Sequence, residues 1–238
     1  MACAGVLLCA CGEQFSSGVD AGTTTTSGSH GGSGGSAPGG SGPGGSMSTG
    51  GQGTGGGAAG ANTAGAPVQD LRVFVTTAAV QGGFYGGPDG VDANCQDSAA
   101  AAGLGGMWTA WLSTNDNGVM ADAINRIVGQ GPWIRTDGEV AFENRAQLTI
   151  GPSVPIAYDQ SGTKVEDTLN PNVWTGTTVN GISPGPGTDC WAWSIVTSGH
   201  VAEVGAFAAA GPGPDWTQTG LLSCEKLARF YCFENGTQ

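Results

Sequence analysis

Hydrophobic and polar positions form a readable pattern only from Leu71 onward. Leu71-Arg-Val-Phe-Val-Thr-Thr77 is rich in β-branched and aromatic residues, which predicts a first strand. Gly82-Gly-Phe-Tyr-Gly-Gly87 predicts a loop. Asp89 or Asp92 then offers a cap for a helix through Asn94–Ala102, closed by Gly103, with Cys95 early on it and an alanine run that lets it lie close on a sheet. Met107–Ser113 predicts a strand, and Asn117 a cap for a second short helix over Val119–Ile127. Pro132–Arg135 and Val140–Phe142 predict short strands around the turn Thr136-Asp-Gly138, and Pro155–Tyr158 an extended piece with a turn at Asp159–Gly162. Asn172–Thr177 predicts another strand. The alternation in Cys190-Trp-Ala-Trp-Ser-Ile195 predicts a core strand, with Trp191 and Trp193 on one face. Ala206–Gly220 is a Gly/Pro-bearing loop. The end of the chain, Leu222–Asn235, is a strand flanked by Cys224 and Cys232, apolar on one face and mixed on the other. Two early helices, many short strands and long loops give an α+β class.

No such pattern precedes Leu71. Glycine is densest between Gly12 and Gly65, where 21 of the 46 lie among Ser, Thr and Ala, with no aromatic after Phe15. A segment of that composition cannot bury enough apolar surface to offset its ordering entropy. Residues 12–70 are therefore expected to be a disordered tether, with an r.m.s. reach of roughly 40 Å. Residues 71–238 carry all seven tryptophans and suit one folded domain. Ala4-Gly-Val-Leu-Leu-Cys-Ala-Cys11 is an apolar run too short to span a bilayer. Its end, Leu8-Cys-Ala-Cys11, resembles the bacterial lipobox, although the positive n-region of a signal is missing. That resemblance makes residues 1–11 a signal-like segment and Cys11 the lipidated residue. It implies a lipid-anchored protein on the outer surface of a bacterial cell envelope, touching the membrane only through that anchor.

The net charge is −12; of the 19 acids only Glu13, Asp20 and Asp70 precede Leu71, while every Lys and Arg follows it. A domain this acidic, with no basic stripe, repels phosphate backbones, so nucleic acid is not an expected partner. Once Cys3 and Cys9 are cleaved away and Cys11 is acylated, four cysteines remain, an even number suited to disulfides in an oxidising compartment. Four cysteines allow three connectivities.

Five motifs in order carry a family resemblance: Gly90-Val-Asp-Ala-Asn-Cys-Gln96, Ala102-Gly-Leu-Gly-Gly-Met-Trp-Thr-Ala-Trp-Leu-Ser113, Val173-Trp-Thr-Gly176, Cys190-Trp-Ala-Trp193, and Ser223-Cys-Glu225 with Tyr231-Cys-Phe-Glu-Asn235. Together they resemble endostatin, the C-terminal domain of certain collagens, and a similar domain in a set of bacterial lipoproteins. The resemblance implies the C-type lectin-like fold, with two helices, a mostly antiparallel sheet and long loops. It also implies the bridges Cys95–Cys232 and Cys190–Cys224, and a core position for Trp174.

The family's ligand chemistry does not transfer with the fold. Sugar-binding C-type lectins place a Glu-Pro-Asn or Gln-Pro-Asp tripeptide where this chain has Ser183-Pro-Gly-Pro-Gly-Thr-Asp189, with no acid or amide beside Pro184. The second lectin motif, Trp-Asn-Asp, is echoed only by Asp215-Trp216 in reversed order, so no Ca²⁺ site is expected. Endostatin's zinc histidines have no counterpart; His30 lies in the tether and His200 stands alone, which gives no metal and no cofactor. Its heparin-binding arginine cluster is replaced by scattered Arg72, Arg126, Arg135, Arg145 and Arg229.

No catalytic residue is assigned. His200 has Ser198 nearby but no nucleophile elbow and no suitably spaced acid. Glu139 with Glu143, and Glu166 with Asp167, are the carboxylate pairs that a glycan-active hydrolase would need. The expected function is a surface-displayed, non-catalytic binding or adhesion module recognising an extracellular protein or glycan through the region between Asn180 and Gly220. Its candidate ligand-binding residues are Trp191, Trp193, Asp215 and Trp216, with Trp216 the best candidate for an exposed aromatic and a loop tryptophan folded onto the domain the equal alternative. The alternatives are the hydrolase and a structural envelope lipoprotein without a discrete site.

Overall fold

The computed structural model describes residues 70–236; the expectations for residues 1–11, for the tether up to residue 69 and for lipidation at Cys11 lie outside the described residues. In chain order the strands are β1 (Leu71–Val75), β2 (Val80–Gln81), β3 (Trp108–Ala110), β4 (Thr114–Asp116), β5 (Val119–Ala121), β6 (Trp133–Arg135), β7 (Val140–Phe142), β8 (Asn172–Trp174), β9 (Val201–Ala206), β10 (Gly220–Ser223), β11 (Leu227–Ala228) and β12 (Tyr231–Glu234). The right-handed α-helices are α1 (Pro88–Ala101) and α2 (Ala123–Arg126), with a 3₁₀ turn at Arg145–Thr149 and a further helical turn at Cys190–Trp193. The fold is α+β with mostly antiparallel sheets.

The main sheet has the order β3-β12-β1-β6-β7, so the last strand lies between the first strand and β3. β12 pairs antiparallel with β1 through Phe74↔Cys232 and with β3 through Cys232↔Ala110; only β6 runs parallel to β1. Both faces of this sheet are covered, and the period-2 alternation of side chains divides them. Val73, Val75, Tyr231, Phe233 and Trp133 face one core with Trp111, Phe142 and Trp216. Phe74, Cys232, Ala110 and Trp108 face a second core with α1, Trp174, Trp193 and Phe230. All of Tyr231–Glu234 is therefore buried, where the sequence suggested one mixed face. Glu234 lies inside because Arg72 reaches it at 2.9 Å.

Helix α1 starts at Pro88 after Gly87 and has no side-chain cap, so neither Asp89 nor Asp92 fills that role. Asp92 instead accepts the Ala110 N–H at 2.8 Å and pairs with Arg126 at 2.6 Å. The helix ends as expected at Gly103, whose positive φ closes a Schellman motif in which Leu104 N–H donates to Ala99 and Gly103 N–H to Ala100. The helix expected over Val119–Ile127 forms only as the short α2, Ala123–Arg126; Val119–Ala121 instead closes the hairpin β4–β5, which turns at Asn117-Gly118 with positive φ at both residues. Asn-Gly is the favoured dipeptide for such a turn, and this chemistry outcompetes a helix cap.

A second sheet, β10-β9-β8, packs on the far side of the second core. Two disulfides close the fold with Cα–Cα distances of 5.5 Å for Cys95–Cys232 and 5.7 Å for Cys190–Cys224. The first ties α1 to β12. The second ties the Cys190 turn to the residue after β10. Sequence separations of 137 and 34 residues give loop-entropy contributions of about 5 and about 4 kcal/mol. Urea titration of oxidised protein should show the Cys95→Ala/Cys232→Ala variant losing more stability than Cys190→Ala/Cys224→Ala. Losses below about 1 kcal/mol in both would contradict this role for the bridges.

Candidate functional site

The segment Cys190–Trp193, expected as a core strand, is a left-handed helical turn. Cys190, Trp191, Ala192 and Trp193 have φ of 51°, 57°, 54° and 59°. The left-handed conformation costs a residue with a Cβ roughly 1–2 kcal/mol, so four in succession need strong outside support. Asp189, which is fully buried, supplies much of it. Its Oδ1 accepts the Ala192 N–H at 3.1 Å, while its Oδ2 accepts the Thr114 hydroxyl at 2.6 Å and the Asn115 N–H at 2.8 Å. Trp193 N–H donates to Asp189 O, and Ser194 N–H to Cys190 O. Cys190 is cross-linked to Cys224, and two glycines give the turn room. A Cβ on Gly82 would fall 2.4 Å from Cys190 Sγ, and one on Gly83 would fall 2.2 Å from Ile195 N.

This handedness splits the two tryptophans that a strand would have placed on one face. Trp193 is buried, donates its indole N–H to Ser113 O at 3.0 Å and packs edge-on against Trp174 and Phe230. Trp191 is 43% exposed, with its ring edge-on to His200 at 6.0 Å between centroids. Of the two placements open to Trp216, exposed or folded onto the domain, the structure has the second. Trp216 is 1% exposed and lies among Trp111, Phe142 and Tyr231. Its loop settles onto β9 because Gly205 has no side chain; a Cβ there would meet Trp216 O at 2.0 Å. Asp215 stays exposed beside it, away from the buried indole. Trp108 and Trp111 are both buried, and Trp174 is a core residue bonded to Val80 O.

Asp189 also meets a carboxyl that the sequence did not single out. Asp116, 8% exposed at the end of β4, hydrogen-bonds to it and accepts the Gly187 N–H at 2.7 Å. Burial and the Asp189 carboxylate push the Asp116 carboxyl above its usual range. Burial alone would raise Asp189 as well, but hydrogen bonds from Asp116, Thr114, Asn115 and Ala192 outweigh it and hold Asp189 below its usual range. The adjacent Asp116 and Asp189 carboxyls thus join β4, the Gly185–Thr188 loop and the left-handed turn.

Next to Thr114 and Asn115 lies an open cleft of about 470 Å³ between the β4–β5 hairpin, α2 and Ile182–Ser183. Asp122 holds its far side by accepting the Ser183 N–H at 2.9 Å. Met120, 79% exposed, and Ile182 form its apolar walls. The acids considered for hydrolysis are placed differently. Glu139 is exposed and paired with Arg135 at 2.8 Å, and Glu143 is exposed beyond β7. Glu166 and Asp167 border an apolar groove of about 730 Å³ over Phe207, with Glu166 paired to Lys164 and Asp167 to Arg229. Among the described residues no three His, Cys, Asp or Glu side chains converge as a metal-holding group. The chain matches no protein-family model and no curated protein.

The opposite shifts of the two carboxyls have a pH signature. Asp116, with its raised pKa, stabilises the fold fully below its ordinary value and loses that contribution as pH rises through the raised one. Asp189, with its lowered pKa, stabilises above its ordinary value and loses that contribution as pH falls through the depressed one. Urea midpoints should therefore be highest between the two values. In Asp116→Asn the amide donates to Asp189 at every pH, so the decline on the alkaline side should flatten. An alkaline decline unchanged in this variant would contradict the upward shift of Asp116.

Proposed function

We propose that this chain is a lipid-anchored protein of the bacterial cell envelope. It displays residues 71–238 as an endostatin-like domain of C-type lectin-like fold and recognises an extracellular protein or glycan without catalysis. The observation that carries the reading is Trp191. A large aromatic is held outward on a backbone conformation that is unfavourable in itself, anchored by a buried carboxylate and a disulfide. Strain that the surrounding structure over-determines in this way concentrates at binding and switch sites. An indole fixed before its partner arrives contributes contact area with little ordering cost, which suits stacking on a sugar ring or filling a partner's pocket. The cleft between Asn115 and Ser183 is lined by Thr114 and Asn115, the same β4 residues that are bonded to Asp189. Cys11 and residues 12–70 supply the anchor and tether in this reading. The acidic charge disfavours nucleic acid, and no cofactor is invoked.

The test is capture. Immobilised chain should retain a component of the source cell's surroundings or a glycan on an array, and Trp191→Ala should weaken retention by at least about tenfold, in keeping with an aromatic hot spot. Circular dichroism should be unchanged, because Trp191 is the exposed aromatic of its turn. Retention that is blank in both formats, or unaffected by Trp191→Ala, would sink the proposal.

A further inference from the structure

The cleft beside the left-handed turn contains one negative charge that no cation neutralises. Two ionised groups line it, Asp122 and Arg126. Arg126 is already satisfied: it pairs with Asp92 at 2.6 Å and donates to the Ala110 and Leu112 carbonyls. Asp122 makes no ion pair among the described residues. Its Oδ1 accepts the Ser183 N–H, and its Oδ2 receives only the long 3.4 Å contact from the Asn125 amide. An ionised carboxylate offers about four acceptor positions, so Oδ2 keeps free capacity. Met120 and Ile182 stand exposed as apolar walls, and Asn115 and Asn125 bring amide groups to the same cleft.

We propose that this cleft binds a cationic side chain, arginine or lysine, of a protein partner. The proposal rests on the recognition reading above and names the partner's chemistry. Long cationic side chains join an apolar stem to a charged head, and the cleft offers both complements: a thioether and an aliphatic wall for the methylenes, a carboxylate for the head. The net charge of −12 steers such a partner inward and opposes an anionic one. A neutral saccharide would engage the amides but draw nothing from the Asp122 charge.

The test titrates ¹⁵N-labelled full chain with three capped tripeptides that differ only at the centre: Ac-Leu-Arg-Leu-NH₂, Ac-Leu-Gln-Leu-NH₂ and Ac-Leu-Glu-Leu-NH₂. The expected result is a shift of the Asn115 and Asn125 side-chain amides and the Met120 backbone amide, with the arginine peptide bound about tenfold more tightly than the glutamine one. Asp122→Asn should erase that preference, since its Oδ1 can still accept the Ser183 N–H while the charge is gone. A salt series on the wild type probes the same charge without a variant, because screening should remove the preference. Equal binding of the three peptides, a preference that survives Asp122→Asn or high salt, shifts confined to other surfaces, or no binding up to about 10 mM would each overturn the inference. The two proposals fail separately. A glycan that shifts the same amides and ignores Asp122→Asn leaves the recognition reading standing and removes this one. An arginine preference without any captured partner does the reverse.

Discussion

The buried Asp189 carboxylate is the constraint on which the candidate site depends. Its hydrogen bonds tie Thr114 and Asn115, some 75 residues earlier on β4, to Ala192 in the left-handed turn, and Asp116 on the same strand holds the Gly187 backbone. Hydrogen bonds to a charged group are worth about 1.5–3 kcal/mol each when buried, enough for a few of them to offset the cost of a left-handed turn. Without that offset, Cys190–Trp193 would relax toward right-handed or extended backbone and Trp191 would lose its fixed direction. The Cys190–Cys224 bridge and the seating of Trp193 against Trp174 and Phe230 further limit where the turn can go.

The rest of the fold makes that arrangement rigid. β12 pairs on both edges and is buried on both faces, so it joins the first strand, β3 and, through Cys95–Cys232, helix α1. The second core, beneath the turn, is shared by α1, the main sheet and the β10-β9-β8 sheet. Trp193 belongs to this core and Trp191 does not. The turn is therefore the point at which a packed interior is coupled to a solvent-facing indole.

Much of this architecture is legible in the residues. The β-branched run at Leu71–Val75, the strands flanking Thr136–Gly138, the Gly103 helix stop and the core place of Trp174 follow from local chemistry or from the family resemblance, which also supplies both bridges. The positions where sequence and structure part have physical causes. Cys-Trp-Ala-Trp alternates as a strand does, and four successive left-handed residues are so unfavourable that no local signal announces them. Only the distant partners of Asp189 make the conformation viable. Trp216 sits among glycines and prolines, which reads as an exposed loop; a missing side chain at Gly205, on another strand, decides its burial. Asn117-Gly118 carries two competing signals, a helix cap at Asn117 and a hairpin turn at the dipeptide, and the turn prevails. The Asp116–Asp189 pair and the cleft at Asp122 unite residues from separate elements, and nothing in their sequence neighbourhoods points across that gap.

The handedness of Cys190–Trp193 is the claim from which the presentation of Trp191 follows, and proton NMR of the folded chain reads it most directly. A left-handed residue brings its own amide and α protons close together. A left-handed turn predicts four consecutive strong intraresidue NH–Hα Overhauser effects at residues 190–193. Weak intraresidue effects with strong sequential Hα–NH ones, the signature of an extended strand, would contradict it.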